Sequence, residues 1–145
     1  MRNYLIISTL IFFACNSSIK SKTNVDGKNK IKVDTLLKYH SEANGLADIK
    51  LTILSDSTFL FDMRTIPQPE TDDEPTLVNS TGIWTKNNNW TRLIFKTNIP
   101  MISALFDMNY ADSSQFLIID DKTVDINNQL DKISIWGVGC NKTDK

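Results

Sequence analysis

From Ala47 to Ile53 the chain alternates apolar and polar residues, with Ala47, Ile49, Leu51 and Ile53 set against Asp48, Lys50 and Thr52. A side-chain period of two lines one face of an extended chain with apolar groups and makes no helical stripe, so this stretch is a half-buried strand. Ser55-Asp56-Ser57 then supplies turn chemistry, and Thr58 to Arg64 resumes the pattern with Phe59, Phe61 and Met63 on one side. The two runs make a hairpin. Pro67 to Pro75 holds three prolines and four acidic residues. It cannot join a central strand and is expected to be an exposed loop.

A second hairpin runs from Leu77 to Lys86, turns at Asn87-Asn88-Asn89 and returns from Trp90 to Lys96. Further short strands are expected at Met101–Phe106, Phe116–Ile119, Thr123–Ile126 and Lys132–Val138, and only Val33–His40 offers a short helix. About eight short strands at close turn spacing give an all-β fold, an antiparallel meander closed as a lipocalin-like barrel or as a sandwich. The expected core is Ile49, Leu51, Phe59, Phe61, Trp84, Phe95, Ile118 and Ile135. Hydrophobic residues make up 41% of the chain and charged ones 23%, enough apolar matter for a core and too much for intrinsic disorder. A length of 145 residues holds one small domain, which spans residues 33–145 in this reading.

The other end of the chain carries an address. One positive charge at Arg2 precedes an apolar stretch from Tyr4 to Phe13, then Ala14 and Cys15. This is the anatomy of a signal peptide over residues 1–14; the apolar stretch is about half the roughly 20 residues that a spanning helix needs. Phe12-Phe13-Ala14-Cys15 resembles the lipobox of bacterial lipoproteins. The resemblance implies that Cys15 is alkylated by diacylglycerol, that the chain is cut after Ala14, and that the new amino group is acylated. Two or more acyl chains then hold the protein stably at a membrane. Asn16 at the next position implies, by the same resemblance, sorting to the outer membrane, with the body facing the periplasm or the cell surface. Residues 15–32 carry few apolar side chains and are punctuated by Lys20, Lys22, Lys28, Lys30 and Lys32; they read as a flexible tether.

From Tyr39 to Phe95 the order is a tyrosine, a hairpin with Ser-Asp-Ser-Thr-Phe, an acidic loop, Gly82-Ile83-Trp84, a turn and an alternating strand. This order resembles small bacterial envelope lipoproteins with a lipocalin-like β-barrel, including the N-terminal domain of the copper-homeostasis lipoprotein that signals envelope stress. The Cys-x-x-Cys of that family is absent, so the resemblance implies architecture and carries over no copper or redox chemistry.

Reactive groups are sparse. There are 16 basic and 17 acidic residues, which leaves no surplus for nucleic acid. His40 is the one histidine, no serine sits in a nucleophile-elbow pattern, and no His-x-x-x-His spacing exists, so neither a hydrolytic triad nor a zinc site is expected. Glu70-Thr71-Asp72-Asp73-Glu74 lacks the spacing and glycine of a calcium loop. Cys140 is the cysteine left after lipidation, which excludes an internal disulfide; it reads as a small buried residue of the last strand. Tyr39, Trp84, Trp90, Tyr110 and Trp136 are the candidates for lining a ligand cavity, against their alternative use as plain core. The sequence therefore predicts no enzyme and no cofactor or metal. It predicts a lipid-anchored, non-enzymatic envelope module that binds a protein partner or a small hydrophobic ligand; the alternative is a structural or assembly accessory lipoprotein of a larger membrane complex.

Overall fold

The structure, a computed structural model, describes residues 32–41 and 45–143. The signal peptide, Cys15 and nearly all of the tether lie outside the described residues. The strands are β1 (Thr35–Ser41), β2 (Ala47–Leu54), β3 (Thr58–Thr65), β4 (Leu77–Asn87), β5 (Trp90–Thr97), β6 (Phe116–Asp120), β7 (Thr123–Asn127), β8 (Lys132–Ile135) and β9 (Val138–Thr143), with one helical turn, α1 (Ile102–Leu105), between β5 and β6.

All nine strands join in one antiparallel sheet in the order β6-β7-β5-β4-β3-β2-β1-β9-β8, curled into a half-barrel. β1 to β5 form a meander in which each strand pairs with the next. The chain then leaves the sheet through α1 and returns as a hairpin whose second strand, β7, pairs with β5. Arg92 on β5 clamps that pairing, donating from Nε and Nη2 to the two carboxylate oxygens of the buried Asp125 on β7 at 2.7 and 2.8 Å. The β8–β9 hairpin closes the opposite side against β1.

The alternation read from the sequence becomes the inner face. Ile49, Leu51 and Ile53 of β2, Phe59, Phe61 and Met63 of β3, and Leu93 and Phe95 of β5 are all buried. Phe95 meets two rings edge-to-face, with centroids 4.9 Å from Phe59 and 6.0 Å from Phe61. Gly82 is the residue that lets this cluster form, because a Cβ there would collide with the Ile94 carbonyl oxygen and the Phe59 ring. Among the described residues, no buried side-chain nitrogen or oxygen lacks a hydrogen-bond partner. The buried apolar side chains of the inner face form one continuous cluster.

Five expectations are corrected. Val33–His40 is not a helix, since β1 is drawn into the sheet by pairing with β2 on one side and β9 on the other. Met101–Phe106 is not a strand; Ile102, Leu105 and Phe106 have helical spacing and turn together into the core. Lys132–Val138 is two strands, broken by Trp136 and Gly137, both in the left-handed region at φ 53° and 70°. Positive φ at both central residues is the mark of a type I′ hairpin turn. Ile118 shares a face with buried Phe116 and lies opposite buried Val124, yet is 39% exposed, because β6 is the outermost strand and no neighbour covers its far side. Trp84, also expected in the core, is half-buried at its margin.

Candidate functional site

The meander gathers its connections at two ends. At one end lie the chain entry before Thr35, the β2–β3 turn and the β4–β5 turn; there Asp34 and Ser55 exchange backbone and side-chain hydrogen bonds. At the other end lie the β3–β4 acidic loop, the β5–α1 link and the Trp136-Gly137 turn. An eight-residue strand such as β2 separates the two ends by about 25 Å.

The far end carries an open, mostly apolar cleft of about 560 Å³ between β4, the β5–α1 link and the β8–β9 turn. Met63 and Val78 floor it, and Leu77, Ile99, Met101 and Trp136 stand around it. These last four are 65%, 49%, 72% and 38% exposed, and they gather around one opening. Two amides supply the polar lining. The Asn98 Nδ2 donates to the Asn79 carbonyl oxygen at 3.0 Å, and the Asn79 Nδ2 donates to Asp62 Oδ1 at 2.6 Å, so both are held in place.

Trp136 joins this cleft to a second one of about 370 Å³, whose lining includes Ile66, Pro67, Asp73, Glu74 and Trp136. The indole is set by its backbone. A type I′ turn favours Asn-Gly, and a bulky residue in its first left-handed position costs roughly 1–2 kcal/mol. The turn is held from outside the hairpin: the Trp136 N–H donates to the Leu105 carbonyl oxygen of α1 at 2.6 Å, and the Tyr110 ring lies over Gly137.

The structure brings Trp136 and Tyr110 to this end, with Tyr110 66% exposed beside the turn. It places the other aromatic candidates elsewhere. Tyr39 is fully buried in the core, and its hydroxyl donates to the Leu130 carbonyl oxygen at 2.9 Å, tying β1 to the β7–β8 loop. Burial, with the Asp131 charge second, pushes its pKa up to about 12. Trp84 and Trp90 sit at the chain-entry end, the Trp84 indole N–H donating to the Leu54 carbonyl oxygen at 2.8 Å. Sequence reasoning missed Leu77 of β4 and Ile99 and Met101 of the β5–α1 link, which the fold brings around one opening.

His40 lies 2.9 Å from Asp48 Oδ1, and Lys50 Nζ donates to Asp48 Oδ2 at 3.0 Å. Hydrogen bonds from Lys50 first and His40 second hold the Asp48 carboxyl below its usual range. The adjacent Ser41 hydroxyl is committed to the Ala47 carbonyl oxygen and the Ile49 N–H, and neighbours on a strand face opposite ways, so the pair does not assemble a nucleophile and its base. Among the described residues, no three His, Cys, Asp or Glu side chains converge to hold a metal ion. Cys140 is buried, and burial pushes its thiol up to about 12. Among the described residues, no helix is long and apolar enough to cross a membrane. Compared with known proteins, the chain matches no family model, no curated protein and no solved structure.

Proposed function

We propose that the chain is a lipid-anchored bacterial envelope protein, held through Cys15 at the outer membrane, whose half-barrel binds a partner protein in the cleft beside Trp136. The observation that carries the binding half is the contrast between an inner face packed as one hydrophobic cluster and an open, apolar, far-end cleft ringed by exposed Leu77, Ile99 and Met101. A carrier of small hydrophobic molecules keeps its cavity inside the barrel, whereas an exposed apolar patch with rigid polar neighbours marks a protein-binding surface. The anchoring half rests on the signal-peptide anatomy and the lipobox-like Phe12-Phe13-Ala14-Cys15.

The two halves fit each other. The body is tethered at the end where β1 begins, and the cleft opens at the opposite end of the sheet. A coil of the tether's length spans on the order of 20–25 Å, which leaves room for a partner to reach the cleft in the envelope space.

Two measurements separate the halves. A clickable palmitate analogue should label the full chain and leave Cys15→Ser unlabelled; an unlabelled wild type in the envelope removes the anchor. Cross-linking in the producing cells, with mass spectrometry of what co-purifies, should give a stoichiometric partner that is lost in Met101→Asp and in Leu77→Asp. Recovery unchanged by both variants removes the cleft from the binding.

A further inference from the structure

The cleft has a charged flank. Beyond Trp136, the β3–β4 loop presents Glu70, Asp72, Asp73 and Glu74, all exposed, with Asp73 and Glu74 lining the second cleft. None of the four forms an ion pair among the described residues. By contrast, Asp48 is paired with Lys50, and Asp125 with Arg92. The apolar cleft and the two carboxylates are lined in common by the Trp136 indole, whose face attracts a cation electrostatically.

Resting on the protein-binding reading above, we infer that the partner enters as a cationic amphipathic segment, with an apolar side chain in the cleft beside Met101 and a lysine or arginine passing over Trp136 onto Asp73 and Glu74. Charge complementarity selects this occupant. An anionic partner or an anionic lipid surface approaching the same mouth meets the unpaired carboxylates and is repelled, while a neutral apolar segment fills the cleft and leaves the acidic flank unused. Opposite charges at the rim steer the encounter and fix which way the segment runs across Trp136.

The test uses the full chain in zwitterionic nanodiscs, with empty nanodiscs as blank. The probes are three fluorescent peptides that share one short apolar stretch, Leu-Ile-Phe-Leu, flanked at each end by two lysines, two glutamines or two glutamates. Polarisation at low salt should rank lysine over glutamine over glutamate, with lysine at least about threefold tighter than glutamine, as expected for rim ion pairs. That preference should disappear in the double variant Asp73→Asn with Glu74→Gln and at about 0.5 M salt, with glutamine-peptide binding retained. Met101→Asp should weaken all three peptides. Equal binding of the three, or a lysine preference that survives the double variant, overturns the inference and leaves the protein-binding reading standing. No binding by any peptide overturns both. A blue shift of tryptophan emission on moving the chain into phosphatidylglycerol nanodiscs, lost in Met101→Asp, overturns the inference in favour of a mouth that faces lipid.

Discussion

The side-chain oxygen Oε1 of Gln115 accepts the backbone N–H of Ser134 at 2.8 Å. Gln115 directly precedes β6 and Ser134 lies in β8, the two outermost strands, so a side chain does across the seam of the half-barrel what a backbone carbonyl does inside a ladder. The rest of the seam is filled from α1: Phe106 meets Phe116 edge-on at 5.3 Å, and Leu105 accepts from Trp136. The half-barrel is thus finished by a plug instead of a tenth strand.

Gln115→Ala leaves the half-buried Ser134 N–H without its acceptor. An unsatisfied group of this kind costs about 1–3 kcal/mol, and the lower half applies here because water reaches the seam. The urea midpoint should fall accordingly, while Gln115→Glu, which still offers an oxygen acceptor, should stay near wild type. A Gln115→Ala variant as stable as wild type would show that the seam is held by the α1 plug alone.

Alkaline pH should unfold the domain earlier than its exposed groups alone would. Both Tyr39 and Cys140 are acids whose folded pKa is raised, from 10.0 and 9.0 respectively to about 12 in each case, chiefly by burial. The native state therefore keeps protons that the unfolded chain gives up, and stability is complete below pH 9 and lost as pH rises toward 12. Thermal unfolding followed across that range should show a falling midpoint, with a shallower fall in Tyr39→Phe. The same burial predicts that Cys140 resists alkylation at pH 8 until denaturant is added; rapid labelling of the native protein would contradict its place in the core.

Which parts of this architecture were legible depends on where their cause lies. β2, β3 and β5 declare themselves, because Ile49-Leu51, Phe59-Phe61 and Leu93-Phe95 repeat every second residue and the sheet buries that face. β1 does not, since Leu36 is 46% exposed beside half-buried Leu37, and its strand state comes from partners on both sides. Ile118 reads as core from its apolar run, but its exposure is a property of strand order, which local periodicity does not contain. The cleft was legible only through Trp136, with Tyr110 beside its turn. Leu77 opens β4 after Pro75, and Ile99 and Met101 flank Pro100; each reads as an ordinary loop-edge apolar residue until the fold sets them around one opening.

Gly82→Ala tests the aromatic cluster. The added methyl would sit within the Ile94 carbonyl oxygen and the Phe59 ring, and the backbone oxygen cannot rotate away. Overpacking of this kind typically costs 1–3 kcal/mol, and the rigidity of the obstacle places the variant at about 3. Near-ultraviolet circular dichroism should weaken along with the unfolding midpoint. An undisturbed spectrum and midpoint would mean that β4 shifts freely, contrary to a register fixed by Trp84 on Leu54 and by Ser80, whose hydroxyl donates to the Thr97 carbonyl oxygen at 2.6 Å.

Trp136→Asn separates binding from stability. The substitution removes a large apolar ring, whose complete burial would contribute about 1.5–3 kcal/mol, but the ring is 38% exposed and realises only part of that. Asparagine also relieves the left-handed strain at φ 53°, worth roughly 1–2 kcal/mol, and creates the Asn-Gly pair that a type I′ turn favours. The two effects offset, so the unfolding free energy should change by less than about 1 kcal/mol. Partner binding should nevertheless fall at least tenfold, since central aromatic side chains carry a large share of interface energy. A large loss of stability would identify Trp136 as a packing residue of the seam. Unchanged stability with unchanged binding would remove the indole from the site and leave the strained turn without a function.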